Sequence, residues 1–398
     1  MRLPIRVVPR VFHVRRRLVR AAIVAALCFS GVSTATAQSR EQEDGDPPAW
    51  YERLRFSGDF RSRYEGFYQA DRDTRHRTRL RFRLRLDADI NDDARFQLRV
   101  SSGDSGNPVS TNQTFTGFFT PKPFNLERAF VAYSPQAASA LTLGLGKYGL
   151  PLTRTQMIFD DDLNVEGGWE QVSWETQDGL GVNLVALQTA VNEVSAGDDS
   201  YMLGGYGEVN IPLGEHSLQV SVADYGWRNA DQIAVGIATD KLNSNLTNQL
   251  VRDDVGTIVG FTSEFNVIDV IAEATIDTGD SDYPLRLLAD FAHNTRAVSS
   301  RDSGFWLEVG YGDPDAPGTW GTVYTYGWVE QDVTPSAFVF SDIPGTNLRL
   351  HMLEASYIPA PHLSLDVTLH LTRQLFLEQP GQSNSWLSRL HTAVVVSF

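Results

Sequence analysis

The sequence predicts an all-β chain, a transmembrane antiparallel β-barrel of about sixteen strands behind an N-terminal signal peptide. Three observations carry this expectation. Residues 77–90 place Thr78, Leu80, Phe82, Leu84, Leu86, Ala88 and Ile90 on one face and Arg77, Arg79, Arg81, Arg83, Arg85, Asp87 and Asp89 on the other. Period two sustained this long is a strand, because a helix would scatter the arginines around its circumference. Segment after segment is near ten residues or longer, the length that crosses a bilayer at a tilt. Short turns also alternate with longer polar loops, the rhythm of a barrel with one plain rim and one elaborated rim.

Each segment follows in chain order. Residues 1–37 carry Arg2, Arg6, Arg10, Arg15, Arg16, Arg17 and Arg20, then an apolar run from Ala21 to Val32, then Ala35-Thr36-Ala37. A basic start, a short greasy stretch and a small-x-small box read as a Sec signal peptide, and the greasy stretch is too short to span a bilayer. Lipidation at Cys28 is disfavoured because Leu27 stands where a small residue is needed. Residues 38–49 are a polar periplasmic lead-in, and 50–398 form the barrel. Taking the seven leader arginines from the 34 basic side chains leaves 27 against 49 acidic ones, a net charge of −22. The exported chain then has no cysteine, so disulfides cannot brace it. Its acidity argues against a nucleic-acid partner. Aromatic residues at 11% exclude a disordered chain, and no 18-residue apolar run suggests a membrane helix.

The expected strands are 53–65, 77–90, 95–103, 126–134, 141–150, 167–176, 180–190, 201–211, 217–227, 263–276, 284–294, 303–311, 320–330, 347–358, 363–373 and 386–398. Sixteen is even, which leaves both ends on the periplasmic side. The short turns fall at 91–94, 135–140, 176–179, 212–216 and 359–362. The longer polar loops are 66–76, 104–125, 151–166, 228–262, 331–346 and 374–385. Residues 255–262 could add a strand, so eighteen strands is the alternative. In lipid every backbone group must be paired, and closure is the only β solution. At the chain end Leu390, Val394, Val396 and Phe398 share one face, with Arg389, His391, Ala393, Val395 and Ser397 on the other. A last strand ending in Phe resembles the signal read by the outer-membrane insertion machinery.

The chemistry lies in the inward charges. Seventeen of the 27 basic residues fall between positions 50 and 155. Arg61, Arg63, Arg77, Arg79, Arg81, Arg83, Arg85, Arg95, Arg99 and Arg128 are expected to form a basic wall along a water-filled lumen. Such a wall would orient polar solutes and favour anionic groups beside it. The competing reading pairs these arginines with Asp59, Glu65, Asp87 and Asp89. Asp160, Asp161, Asp162 and Glu166 form a candidate acidic constriction, if their loop folds into the lumen; otherwise they belong to a solvated external loop. Positions 160, 162, 164 and 166 offer alternate oxygen ligands, but Val165 stands where a calcium loop needs its turn glycine, so no metal and no cofactor are expected. Trp50, Tyr51, Tyr64, Tyr133, Trp169, Trp174, Tyr201, Trp227, Tyr311, Trp320, Trp328, Tyr357 and Trp386 read as interfacial girdles. His351, His370 and His391 alternate with apolar residues and are assigned to the lumen or barrel wall. Gly103-Asp104-Ser105-Gly106 is similar to a nucleophile turn but lacks its partners, and no hydrolase, zinc or phosphate-loop motif is present, so no catalytic residues are assigned.

Several stretches resemble the bacterial putative porin family. They are Trp50-Tyr51, Gly58-Asp59-Phe60-Arg61-Ser62-Arg63-Tyr64-Glu65-Gly66, Asn91-Asp92-Asp93-Ala94-Arg95-Phe96-Gln97-Leu98-Arg99 and Pro108-Val109-Ser110-Thr111-Asn112-Gln113-Thr114. Leu126-Glu127-Arg128-Ala129-Phe130-Val131-Ala132-Tyr133 and Asp162-Leu163-Asn164-Val165-Glu166-Gly167 complete the set. The likeness is best from 50 to 170 and departs at 228–262. It implies an outer-membrane channel of Gram-negative bacteria and names no substrate. Two functions follow. One is passive diffusion of small hydrophilic solutes or ions, leaning toward anions, through a barrel surrounded by outer-membrane lipid, with a homotrimer compatible. The other is a plugged barrel acting as a surface binding or structural protein.

Overall fold

The computed structural model describes residues 50–70, 72–195, 197–377 and 383–398. The signal peptide and lead-in expected for 1–49 lie outside them. A short 3-10 turn (Trp50–Arg53) leads into β1 (Leu54–Gln69), β2 (Arg75–Asp89), β3 (Ala94–Ser102), β4 (Gln113–Thr114), β5 (Phe124–Tyr133), β6 (Leu141–Gly149) and β7 (Asn164–Glu175). β8 (Gly181–Asn192), β9 (Ser200–Leu213), β10 (His216–Arg228), α1 (Asp231–Ala238), β11 (Leu250–Arg252), β12 (Ile258–Phe261) and β13 (Asn266–Ile276) follow. The chain ends with β14 (Leu285–Asn294), β15 (Ser303–Tyr311), β16 (Trp320–Val329), β17 (Leu348–Ala360), β18 (Leu363–Gln374) and β19 (Leu387–Ser397).

Sixteen of these strands pair antiparallel with their chain neighbours, and β1 pairs β19 to close the ring. The two-residue β4 lies against Arg79 and Leu80, continuing the row of β3 where β2 outruns it. Residues 255–262 do not enter the ring. β12 pairs β11 in a separate two-stranded sheet, so the eighteen-strand alternative is set aside. The expected segments agree with the observed strands to within a few residues, because side-chain alternation is a direct consequence of strand geometry.

The alternation also sorts inside from outside. On β1, Asp59, Arg61, Arg63 and Glu65 are buried while Phe56, Phe60, Tyr64 and Tyr68 are exposed. On β19, Arg389, His391, Ala393 and Val395 are buried while Val394 and Val396 are exposed. Charged residues inside and apolar residues outside invert a soluble sandwich and suit a barrel set in lipid.

Two long connections do not behave as solvated loops. Residues 150–163, between β6 and β7, and 330–347, between β16 and β17, are largely buried. Met157, Ile158 and Phe159 pack with Tyr225, Trp227, Trp306, Phe338 and Phe340 in one apolar core inside the barrel. Phe159 meets Tyr225 edge-on at 5.0 Å, and Trp227 stacks on Phe338 at 5.3 Å. The expectation of an external polar loop at 331–346 is therefore corrected. Its Ala337-Phe338-Val339-Phe340 run is too apolar to stay in water.

The aromatic assignment needs a correction as well. Trp169 and Trp227 are buried, 6% and 5% exposed, and belong to the interior rather than the girdles. Trp169 packs on Tyr148 at 4.2 Å, and a Cβ on Gly144 would lie 2.0 Å from its ring. Gly167 just before it has φ of +147°, where a Cβ would meet the carbonyl of Gln188 at 2.0 Å, so glycine is required at that kink. Exposed Trp50, Tyr51, Tyr133, Trp174, Tyr201, Tyr311, Trp320, Tyr357 and Trp386 keep the outward reading. Among the three histidines, His370 and His391 are buried inside, their rings 4.8 Å apart, whereas His351 lies on the outer face by Tyr324 and Trp386.

Candidate functional site

Because β1 and β2 are long paired neighbours, their odd-numbered residues stand side by side facing inward. Asp59 lies opposite Arg83 and Glu65 opposite Arg77. Asp59 accepts from Arg81 at 2.9 Å and from Arg83 at 2.7 Å. Glu65 pairs Arg63, Arg77 at 2.5 Å, Arg79 at 3.6 Å and Arg389 at 3.1 Å. Arg85 pairs Asp87 at 2.6 Å, and Arg99 pairs Glu127. Arg61 donates to Asn112 at 2.6 Å and Arg128 to Asn164 at 2.5 Å. Arg95 stands apart, exposed at the start of β3.

Partial pairing thus holds, but the carboxylates are shared. Arg61, Arg63, Arg77, Arg79, Arg81, Arg83, Arg85, Arg99, Arg128 and Arg389 meet Asp59, Glu65, Asp87, Glu127, Asp162 and Asp342. Ten cations against six anions leave this side of the interior positive, an excess felt strongly where water is scarce.

The acidic segment divides into three roles. Asp162 reaches this wall, accepting from Arg83 at 3.2 Å and from the hydroxyl of Thr111 at 3.0 Å. Burial opposes its ionisation, but Arg83, Arg81 and Arg61 outweigh burial and hold the carboxyl below the usual carboxylate range. Asp160 is a fastener. It accepts the backbone N–H groups of Ser341 at 2.6 Å and Asp162 at 2.7 Å, and burial beside Asp162 pushes its carboxyl well above the usual range. Asp161 is half exposed, accepts from Gln156 at 2.8 Å and faces Arg154 at 3.7 Å. Glu166 does not join them. It lies within β7 on the outer face, paired with Lys147 at 2.8 Å, so its place in an inner constriction is corrected. Across the ladder Glu166 stands opposite Lys147 and Ala190, on the outward side of β6 and β8.

The structure adds residues that the sequence reading missed. Asp342, at the far end of the 330–347 connection, is gripped by Arg63 at 2.7 and 3.0 Å and by Arg389 at 2.9 Å. Burial disfavours its charge, yet Arg63 and Arg389 hold its carboxyl well below the ordinary range. Glu65, Asp342 and His391 lie close enough together to suggest a metal cluster, but Arg63 and Arg389 are already ion-paired with both carboxylates. The two inward connections are also joined to each other. The N–H of Asp160 donates to Phe338 O at 2.9 Å, and that of Phe340 to Gln156 O at 3.1 Å. Thr155 donates to Asp290 on the far wall, and Thr153 donates to Glu208 at 2.7 Å. Together the two segments cross the interior and are tied to both sides.

The far wall has the opposite character. Asp269, Glu273 and Asp290 are buried on the inner faces of β13 and β14, with Arg286 beside Glu308 at 3.3 Å. Around the ring β13 stands eight strands from β2, so the acidic side faces the guanidinium side across the barrel.

Residues 66–235 match the model of the family described as Putative porin, so the resemblance drawn from the sequence holds over that stretch. No curated protein sequence matches the chain. Among solved structures it is similar to Pseudomonas putida OprB at high pH, with 14% identity and a TM-score of 0.57, covering 87% of this chain and 94% of that one. The anion-selective porin from Comamonas acidovorans shares 12% identity at a TM-score of 0.53, covering 87% and 99%. Salmonella typhi OmpF shares 11% at 0.50, covering 87% and 97%. At these identities the likeness is one of fold. The family match over that stretch supports a bacterial outer-membrane channel.

Proposed function

We propose that this putative-porin barrel is a passive channel for small hydrophilic solutes and ions, leaning toward anions, whose path runs along the guanidinium side. The observation that carries this reading is the surplus of cations on β1, β2, β3, β5 and β19 beside the edge of the 150–163 connection. The opposite half is occupied by apolar packing, so the path runs along the arginines and past Asp162. Arg77, Arg79, Arg83, Arg85 and Arg99 retain partial exposure and would meet them, while Arg61, Arg63 and Arg81 are buried and set the field from behind. Arg95 is the mouth residue of this set. Export through the 1–37 leader, insertion by the outer-membrane assembly machinery and a homotrimeric state complete the reading.

Planar-bilayer reversal potentials under a salt gradient test it. The expected result is stable conductance with anion preference, reduced severalfold in Arg79→Ala and Arg83→Ala. Absence of stable conductance, or cation selectivity untouched by those changes, would overturn it. The two inward connections favour a second reading, a plugged barrel serving as a surface binding or structural protein. Liposome swelling with sugars of graded size separates the two, because a plugged barrel admits none.

A further inference from the structure

The far wall holds two adjoining carboxylates that no basic side chain pairs among the described residues. Asp269 on β13 and Asp290 on β14 both face inward, each 2% exposed. Asp269 stands opposite Ala292 and Asp290 opposite Ile271, so the two are diagonal neighbours on one face. Their carboxyl groups lie within hydrogen-bonding reach of each other. The arginines of this side are turned elsewhere, Arg154 to Asp161 at 3.7 Å and Arg286 to Glu308 at 3.3 Å.

A third group joins them. Tyr225 on β10 is fully buried. It lies opposite Val267 while Ala223 lies opposite Asp269, so Tyr225 and Asp269 are diagonal neighbours across that ladder. Both carboxylates act on the tyrosine hydroxyl. That hydroxyl has no hydrogen-bond partner among the described residues, and neither has Oδ1 of Asp269 or Oδ1 of Asp290. Thr155, from the 150–163 connection, donates to the other oxygen of Asp290. Met157, Ile158 and Phe159 of the same connection share the apolar core with Tyr225. Two ionised carboxylates side by side in such surroundings repel strongly, and buried charge persists only when it is paired or bound to metal. A proton shared between them would satisfy one oxygen of each. It would leave Asp269 Oδ1, Asp290 Oδ1 and the Tyr225 oxygen bare. Three buried oxygen atoms without donors make a ligand set for a hard cation, which takes oxygen alone and completes its shell with water.

We propose that Asp269, Asp290 and Tyr225 hold a divalent cation of the calcium class against the far wall. The inference rests on the closed barrel and not on the channel reading. The ion neutralises both carboxylates and leaves Asp290 free to keep its bond from Thr155. It thereby pins the 150–163 connection to β13 and β14. Asp162, on the same connection, is held at its other edge by Arg83. The cation and the guanidinium wall then fix that segment from opposite sides.

The full mature chain, refolded in detergent and stripped with EDTA, tests the proposal with calcium chloride and with terbium. Terbium takes the place of calcium and emits when a nearby aromatic ring is excited, here Tyr225 itself. Calcium at about 1 mM, the range of extracellular oxygen sites, should raise the unfolding temperature by a few degrees, because an ion bound to the folded state alone stabilises it. Terbium should emit on aromatic excitation, and calcium should quench it. Asp269→Asn and Asp290→Asn should each abolish the calcium shift and the sensitised emission. Tyr225→Phe should raise the calcium concentration needed severalfold. Asp280→Asn, in the exposed turn after β13, should leave both responses intact. Heat-modifiable gel migration establishes that each variant has closed its barrel. Should Asp290→Asn close poorly, Asp269→Asn and Tyr225→Phe report on the same site. A natural chain lacking either response overturns the proposal and leaves the two carboxyl groups joined by a proton. So do responses that persist in closed Asp269→Asn barrels.

Discussion

The two sides of the barrel interior obey the same alternation and end in opposite states. On β1 and β2 the inward positions are arginines and carboxylates, and they hold each other at 2.5 to 3.6 Å. On β10, β15 and β17 the inward positions include Tyr225, Trp227, Trp306 and Leu350, which meet Met157, Ile158, Phe159 and Phe338 in a dry core. One side stays polar because guanidinium groups cannot lose water without partners. The other recruits its own connections to fill it. The difference shows that strand count alone does not fix what fills a barrel; inward side chains decide which sector packs apolar and which stays charged.

The sharpest way to break this division is to cut the tie between the sides. Asp342→Ala leaves Glu65 as the one carboxylate paired with Arg63 and Arg389 and loosens the 330–347 connection at that end. Breaking a buried ion pair costs about 3–5 kcal/mol, so a lower unfolding temperature and a larger, noisier single-channel conductance are expected. A gentler form uses pH. A carboxylate held below its ordinary range stabilises the fold above its unfolded value and loses that contribution as pH falls through the folded one. The difference in unfolding temperature between natural chain and Asp342→Asn should stay level from about pH 8 to about pH 5 and narrow only below about pH 4.

A smaller effect is expected from Thr155→Val, which removes the donor to buried Asp290 and loosens the packed side alone. Leaving a buried acceptor short of a partner costs about 1–3 kcal/mol, measurable by denaturant titration without a change in ion preference. The smallest should come from Arg55→Ala. Its 2.5 Å pair with Asp89 is about half exposed, and such pairs contribute about 0–1 kcal/mol, so the denaturant midpoint should barely move.

The wall was legible and the filling was not. Period-two alternation is written residue by residue, which is why Arg77 to Asp89 announced both strand and inner face. Connections carry no such period. Asp342 read as one more polar loop residue, although the adjoining Ala337-Phe338-Val339-Phe340 run was a signal that the segment seeks a core. Glu166 was misassigned because β7 starts at Asn164, three residues before the expected 167, which draws Glu166 from the loop into the strand. Trp169 and Trp227 failed because nearness to a strand end suggested a girdle, whereas parity decides the face. The acidic far wall went unnoticed because its carboxylates are spread one or two to a strand and become neighbours only on closure.

The seam between β1 and β19 sets an order of events for assembly. Gly58 and Phe398 exchange both backbone hydrogen bonds, at 2.8 and 3.1 Å, and the pairing runs on to Gln69 and Leu387. β1 must therefore wait, one edge unsatisfied, for β19, the last strand of the ring. Joining partners so remote in sequence is entropically late and slow. Any chain stalled before β19 keeps that raw edge.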